Sequence, residues 1–341
     1  MTSSIASTVS VAEPLVTEPA VTEPVVIAHR GASAYLPEHS MAAYLLAYGQ
    51  GADFLEPDLV MTADGHLIAL HDLTLNATTN VATVFPDRAR DDGGFYAIDF
   101  ALQEIQQLRL NERAEPDTGL ARYPQRWPVD GDGNDLALFE VVEFTQLLQM
   151  VTELNRSTGR RVGVYPELKF ARFHQSHGKD FAQALSDTLQ RHALPSDQLP
   201  VFIQSFEPEP LLAIHERFGE RFPLIQLIGL DDWGMNHVDY AHMTSAHGLA
   251  EVAEYGIGIG PPLQLLVADP QALISEAPVE ASDLLQQARA VGLHVHPFTF
   301  RREGLPEGLS LERLLDVFFH DLKVEGVFTD NPDVAVTRRQ Q

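Results

Sequence analysis

Val25-Val-Ile-Ala-His29-Arg30-Gly31, Leu36-Pro37-Glu38-His39-Ser40, Phe54-Leu55-Glu56-Pro57-Asp58 and Leu67-Ile68-Ala69-Leu70-His71-Asp72 fall within one stretch, residues 25–72. Its three short apolar runs each deliver titratable residues at or near the carboxyl end. A parallel α/β barrel needs that pattern, because its active site is built where strands run out into βα loops. Side chains alternate along a strand, so Glu56 and Asp58, two apart, share a face and can grip one hard cation together. His29 and His71 then stand on neighbouring strand ends, as a general acid and a general base would.

The rest of the chain repeats this alternation. Apolar, strand-like runs recur at 161–169, 201–205, 224–228, 255–259, 293–298 and 324–330. Helical spacing separates them at 38–48, 139–154, 181–192, 211–218, 282–291 and 311–319. Strand and helix in alternation predict an α/β fold, a TIM (β/α)8 barrel, rather than a sandwich or a bundle. Within it Leu67–Leu70 is read as the third strand. Between about 76 and 128 the pattern loosens around Pro86, Gly93-Gly94, Pro116, Gly119, Pro124 and Pro128, with one helical piece near Leu102–Leu108. A connection that long predicts a small insertion over the mouth of the site. Residues 1–24, where Glu-Pro recurs at 13–14, 18–19 and 23–24, read as a disordered tail ahead of a barrel domain over 25–341.

Two charges on an apolar strand need a reason. A solvated pair on an edge strand would be one, and proline favours edges. Yet Phe54, Leu55, Leu59 and Val60 make this strand largely apolar, which favours a cation site. Glu167, at the end of another strand, could add a third carboxylate or simply pair with Lys169. Three carboxylates, a divalent cation, Arg30 and Lys169 sum to a small positive charge, suited to a phosphodiester monoanion. His39, His66, His174, His177, His192 and His320 show no comparable setting and read as structural or surface residues. His296 is placed on a pocket wall.

Composition excludes several classes. Lys and Arg number 23 against 48 Asp and Glu, a net charge of −25, which repels nucleic acid and anionic membranes. There is no cysteine, hence no disulfide, thiolate nucleophile or zinc–cysteine site. No run is long enough for a membrane span, so no stable membrane insertion is expected. The amino-terminal residues lack a basic start and an apolar core, which reads as cytoplasmic; a periplasmic address would require a leader already removed. Ser33 and Ser40 lack a nucleophile elbow, and no phosphate-binding Gly-Lys loop is present.

Taken with Tyr165-Pro-Glu167-Leu-Lys169, Gln204-Ser205-Phe206, Val295-His-Pro-Phe298-Thr and Gly326-Val-Phe-Thr-Asp330-Asn-Pro, these motifs resemble the glycerophosphodiester phosphodiesterases, especially the bacterial periplasmic type. The resemblance implies a TIM barrel with an insertion after the third strand. It implies one divalent cation, Ca2+ or Mg2+, on Glu56, Asp58 and Glu167, with His29 and His71 as the acid–base pair. Arg30 and Lys169 would bind phosphate, Glu38 would support the site or glycerol hydroxyls, and Gln204 and Phe298 would line the substrate. The expected reaction is hydrolysis of small glycerophosphodiesters to glycerol 3-phosphate and an alcohol. A sphingomyelinase-type phospholipase D and a silent polyol-phosphate binder are the alternatives. The chain departs from the family's habit at Ala77, where many relatives carry arginine, and at His39-Ser40, where Asn-Thr is commoner.

Overall fold

The computed structural model describes residues 23–114, 118–121, 123, 137–192, 199–230, 233, 237–275 and 278–341. Most of the expected tail, residues 1–22, and part of the expected insertion lie outside these residues. The apolar runs form β1 (Val25–His29), β2 (Phe54–Glu56), β3 (Asp58–Met61), β4 (Leu67–Ala69), β5 (Gly163–Val164) and β6 (Glu167–Leu168). They continue as β7 (Ile203–Ser205), β8 (Leu224–Leu227), β9 (Gly258–Gly260), β10 (His294–Val295) and β11 (Gly326–Thr329).

Two of the eight staves are broken by proline. Pro57 separates β2 from β3 and Pro166 separates β5 from β6, so each stave contributes one half to each of two ladders. One ladder runs β11-β1-β2-β5 and the other β10-β9-β8-β7-β6-β3-β4. Every pair is parallel except β3 with β4. The ring is completed just past β10, where Phe300 N donates to Phe328 O (2.8 Å) and Phe328 N to Pro297 O (3.0 Å). The Glu56-Pro57-Asp58 stretch is therefore interior to the barrel wall, not at an edge.

One expectation is corrected here. Leu67–Ala69 is not a barrel stave but turns back antiparallel on β3, with Leu59 opposite Ala69 and Met61 opposite Leu67. Its reversal follows from the short Ala63-Asp64-Gly65 connection; a parallel return needs a crossover of a dozen residues or more. Gly65 holds φ +88° there. His71 thus reaches the site from a hairpin that leans over the barrel mouth.

A helix follows each stave: Met41–Gln50, Phe144–Thr158, Phe181–Arg191, Pro208–Phe218, Ala246–Val252, Asp283–Ala290, Leu311–Asp316 and Pro332–Arg339. Local chemistry sets their starts. Ser40 Oγ accepts from Ala43 N (3.1 Å), a cap worth about 1 kcal/mol. Between staves and helices lie two large apolar clusters, one around Leu55, Leu59, Phe144 and Leu147, the other around Val295, Phe300, Leu314 and Phe318.

Inside the barrel the filling is aromatic. Tyr165 stacks on Phe202 at 4.9 Å and meets Phe328 edge-on at 5.1 Å. Its hydroxyl bonds His296 Nδ1 at 2.9 Å. His296 is therefore a buried core residue rather than part of a pocket wall, and burial beside His294 pushes its pKa down to about 3. The long connection after β4 has an apolar core of its own, where Leu75, Val81, Phe95, Phe100, Ile105 and Leu110 pack on Val60 and Ile68. That packing anchors it to β3 and β4, next to the site.

Candidate active site

Parallel register brings the polar residues to one level. His29 is paired with Glu56, Asp58 with Glu167, and Glu167 with Gln204. Ligand oxygens of Glu56, Asp58 and Glu167 consequently lie within 4.8 Å of one another, all three buried. Lys169 and Arg30 offset part of this charge. Lys169 Nζ lies 2.9 Å from Glu167 and 3.8 Å from Asp58, while Arg30 Nε lies 3.1 Å from Asp58.

Three carboxylates so close cannot all remain ionised without a cation. Burial, together with repulsion from Asp58 and Glu167, raises the pKa of Glu56 well above the ordinary carboxylate range. Burial pushes Glu167 up to about 8, against the pull of Lys169 and with the push of Asp58. Burial works on Asp58 in the same direction but is overcome by Lys169 and Arg30, which hold it well below its usual value. Gln204 donates Nε2 to Glu56 at 3.3 Å, yet its own Oε1 is buried with no hydrogen-bond partner. An all-oxygen cluster that must otherwise retain protons, beside an unsatisfied buried carbonyl, fits a hard divalent cation.

The chain leaves β1 through a turn that only this local sequence makes easily. Arg30 (φ +60°) and Gly31 (φ +85°) are both left-handed, and a Cβ on Gly31 would stand 2.8 Å from the Ala43 carbonyl carbon. The turn aims Arg30 N at Glu56 Oε2 (2.8 Å) and Arg30 Nη1 at Glu38 Oε1 (3.0 Å). His39, also left-handed, returns inward to bond Asp58 Oδ2 (2.9 Å) and the Tyr44 hydroxyl (2.8 Å). It is buried and bonded to a carboxylate of the cluster.

Both expected acid–base histidines face the same cavity, and each has its own carboxylate. His29 Nδ1 bonds Asp330 Oδ1 at 2.7 Å, and His71 Nδ1 bonds Asp72 Oδ1 at 2.6 Å. A carboxylate at Nδ1 fixes the proton there and leaves Nε2 for the cavity. Burial, followed by Arg30 and Lys169, lowers the His71 pKa to about 3, so its imidazole is neutral near pH 7. The cavity, about 330 Å3, is also bordered by Lys169, Gln204 and an aromatic wall. In that wall Phe206 meets Trp233 at 6.0 Å and Phe298 at 5.8 Å.

Arg113, from the inserted connection, carries no signal in the sequence. Its guanidinium donates to both oxygens of Glu38 (2.9 and 2.6 Å) and to Asp72 Oδ2 (2.7 Å). It thus ties the carboxylate behind His71 to the one behind Arg30. Arg113→Met should destabilise the fold by up to about 3 kcal/mol, the low end for a broken buried pair because Asp72 keeps some access to water. Urea denaturation of the two proteins would measure the difference.

Comparisons with known proteins identify the family. The sequence profile of the glycerophosphoryl diester phosphodiesterase family matches residues 29–334. The chain belongs to that family. Among its relatives, a glycerophosphodiester phosphodiesterase of Haemophilus influenzae is 34% identical over 329 residues, covering 92% of this chain and 88% of its own. One of Treponema pallidum is 30% identical over 333 residues, covering 92% and 90%. The fold is that of an Oleispira antarctica phosphodiesterase solved with the product sn-glycerol-3-phosphate, with a TM-score of 0.62 at 19% identity, 94% of this chain and 98% of that one being covered. The family's TIM barrel is the fold predicted from the alternating pattern. No helix among the described residues is long and apolar enough to cross a membrane.

Proposed function

We propose that the chain hydrolyses glycerophosphodiesters, such as glycerophosphocholine and glycerophosphoethanolamine, to sn-glycerol 3-phosphate and an alcohol. The supporting observation is the pair of carboxylate-held histidines, His29 and His71, on the rim of the buried Glu56, Asp58 and Glu167 cluster. The product bound in the Oleispira antarctica relative has the same chemistry. A Ca2+ or Mg2+ ion on those three carboxylates would act as a Lewis acid toward the phosphoryl oxygens.

The chain's own residues do the rest. Arg30 and Lys169 hold the phosphoryl oxygens, Arg30 being fixed by Glu38 and Asp58 and Lys169 by Glu167. Phe298 and the aromatic wall cover the substrate's carbon skeleton, and Gln204 steadies Glu56. His71, neutral, takes the proton of the attacking hydroxyl at Nε2; His29 gives one to the departing alcohol oxygen. The attacker is the substrate's own glycerol 2-hydroxyl, giving a cyclic phosphate that water opens with the histidine roles reversed. An internal hydroxyl avoids the entropy of positioning a second molecule, worth up to roughly 7–11 kcal/mol.

Turnover of glycerophosphocholine by the cation-loaded protein tests the activity. A substrate lacking only the 2-hydroxyl should bind competitively and resist cleavage. Cleavage at the parent's rate would instead favour direct attack by water.

A further inference from the structure

Two cavities meet at the proposed proton-transfer pair. His29, Arg30, His71 and Arg301 border both. Glu56, Glu167 and the aromatic residues Phe206, Trp233 and Phe298 border only the larger. The smaller, about 210 Å3, is walled by Ser33, Glu38, Glu112, Arg113, Tyr123 and Asp330. Three of these, Glu112, Arg113 and Tyr123, come from the insertion, none of whose described residues belongs to the barrel wall.

We infer that the smaller cavity receives the departing alcohol and selects hydroxylated alcohols over quaternary ammonium ones. This rests on the reaction proposed above. In phosphoryl transfer the attacking and leaving oxygens lie roughly in line across phosphorus. The phosphate belongs among the four shared residues, where Arg30 and both histidines can reach it. A glycerol held beside the carboxylate cluster occupies the larger cavity, so its 2-hydroxyl attacks from that side. The departing oxygen then points into the smaller one.

The lining dictates what fits there. Arg113 is already paired with Glu38 and Asp72, and Arg30 with Glu38. A hydroxyl both donates and accepts, so it can join the edge of such ion pairs without disturbing their balance. A trimethylammonium group has no N–H to donate and is best recognised by several aromatic faces. A cluster of such faces, Phe206, Trp233 and Phe298, stands in the other cavity, whereas Tyr123 is the one aromatic ring other than histidine among the described residues of the smaller. The small volume, below the usual range of ligand pockets, suits a short polyol rather than an acyl-bearing alcohol.

The test compares kcat/KM of the cation-loaded enzyme for glycerophosphoglycerol, glycerophosphoinositol and glycerophosphocholine. The two polyol esters should exceed the choline ester by about tenfold or more. Glu112→Gln and Tyr123→Phe, checked for folding by circular dichroism, should narrow that ratio. Trp233→Leu, in the larger cavity, should scale all three rates alike. A choline ester cleaved as well as the polyol esters, or smaller-cavity variants that scale all three equally, would overturn the inference. Absence of turnover for every ester would overturn the underlying reaction and this inference with it.

Discussion

His29→Asn and His71→Asn each lower kcat by about 10²–10⁴-fold, the span expected when a positioned proton-transfer group is lost. Cation affinity in both variants stays at the parent's value. The two effects separate because the imidazoles are held by Asp330 and Asp72, whereas the cluster oxygens are held by Arg30, His39, Lys169 and Gln204. Neither histidine is a cluster ligand. Calorimetric titration with Ca2+ or Mg2+ beside steady-state kinetics measures both quantities on one sample. Histidine variants that lose the cation as badly as carboxylate variants do would refute this division of labour.

The second large effect is on the cation itself. Glu56→Gln, Asp58→Asn and Glu167→Gln each remove a charged oxygen ligand and should weaken cation binding and abolish turnover. pH dependence gives an independent reading of the same cluster. The Glu167 carboxyl is pushed up to about 8 in the cation-free fold, so folding favours its protonated form. That contribution to stability is fully present below the ordinary carboxyl pKa and is lost as pH rises toward 8. A cation displaces the proton and restores the loss, so it binds more tightly at pH 8 than at pH 5.5. Scanning calorimetry should therefore show a larger cation-induced rise in Tm at the higher pH, and Glu167→Gln should erase the difference. Equal rises at both pH values would argue against a proton-holding cluster.

Much of this architecture was legible at the level of residues. An apolar run ending in His, Glu-Pro-Asp or Glu-Leu-Lys states both a buried stave and the end from which chemistry projects. What escaped were contacts between residues distant along the chain. Asp72 sits next to His71 and Asp330 closes the last stave, so adjacency and strand-end position were available as signals for both. Arg113 offered none, because an insertion with its own apolar core fixes its place by packing rather than by periodicity. His39 was hidden by a left-handed backbone that reverses its direction. The apolar run Leu67–Leu70 has the same pattern whether it becomes a stave or a hairpin arm; only the shortness of the connection before it decides.

The bond between His29 and Asp330 spans nearly the whole chain, joining the first stave to the last. During synthesis the first of these residues leaves the ribosome some three hundred positions before its partner. A nascent polypeptide can therefore already carry the Glu56, Asp58 and Glu167 carboxylates, which all precede residue 170, and still lack the carboxylate partner of His29. Under the proposed mechanism, competence for the reaction arrives only when the ring shuts, and removal of the final stave deletes the Asp330 partner of His29 while leaving the three clustered carboxylates in the chain.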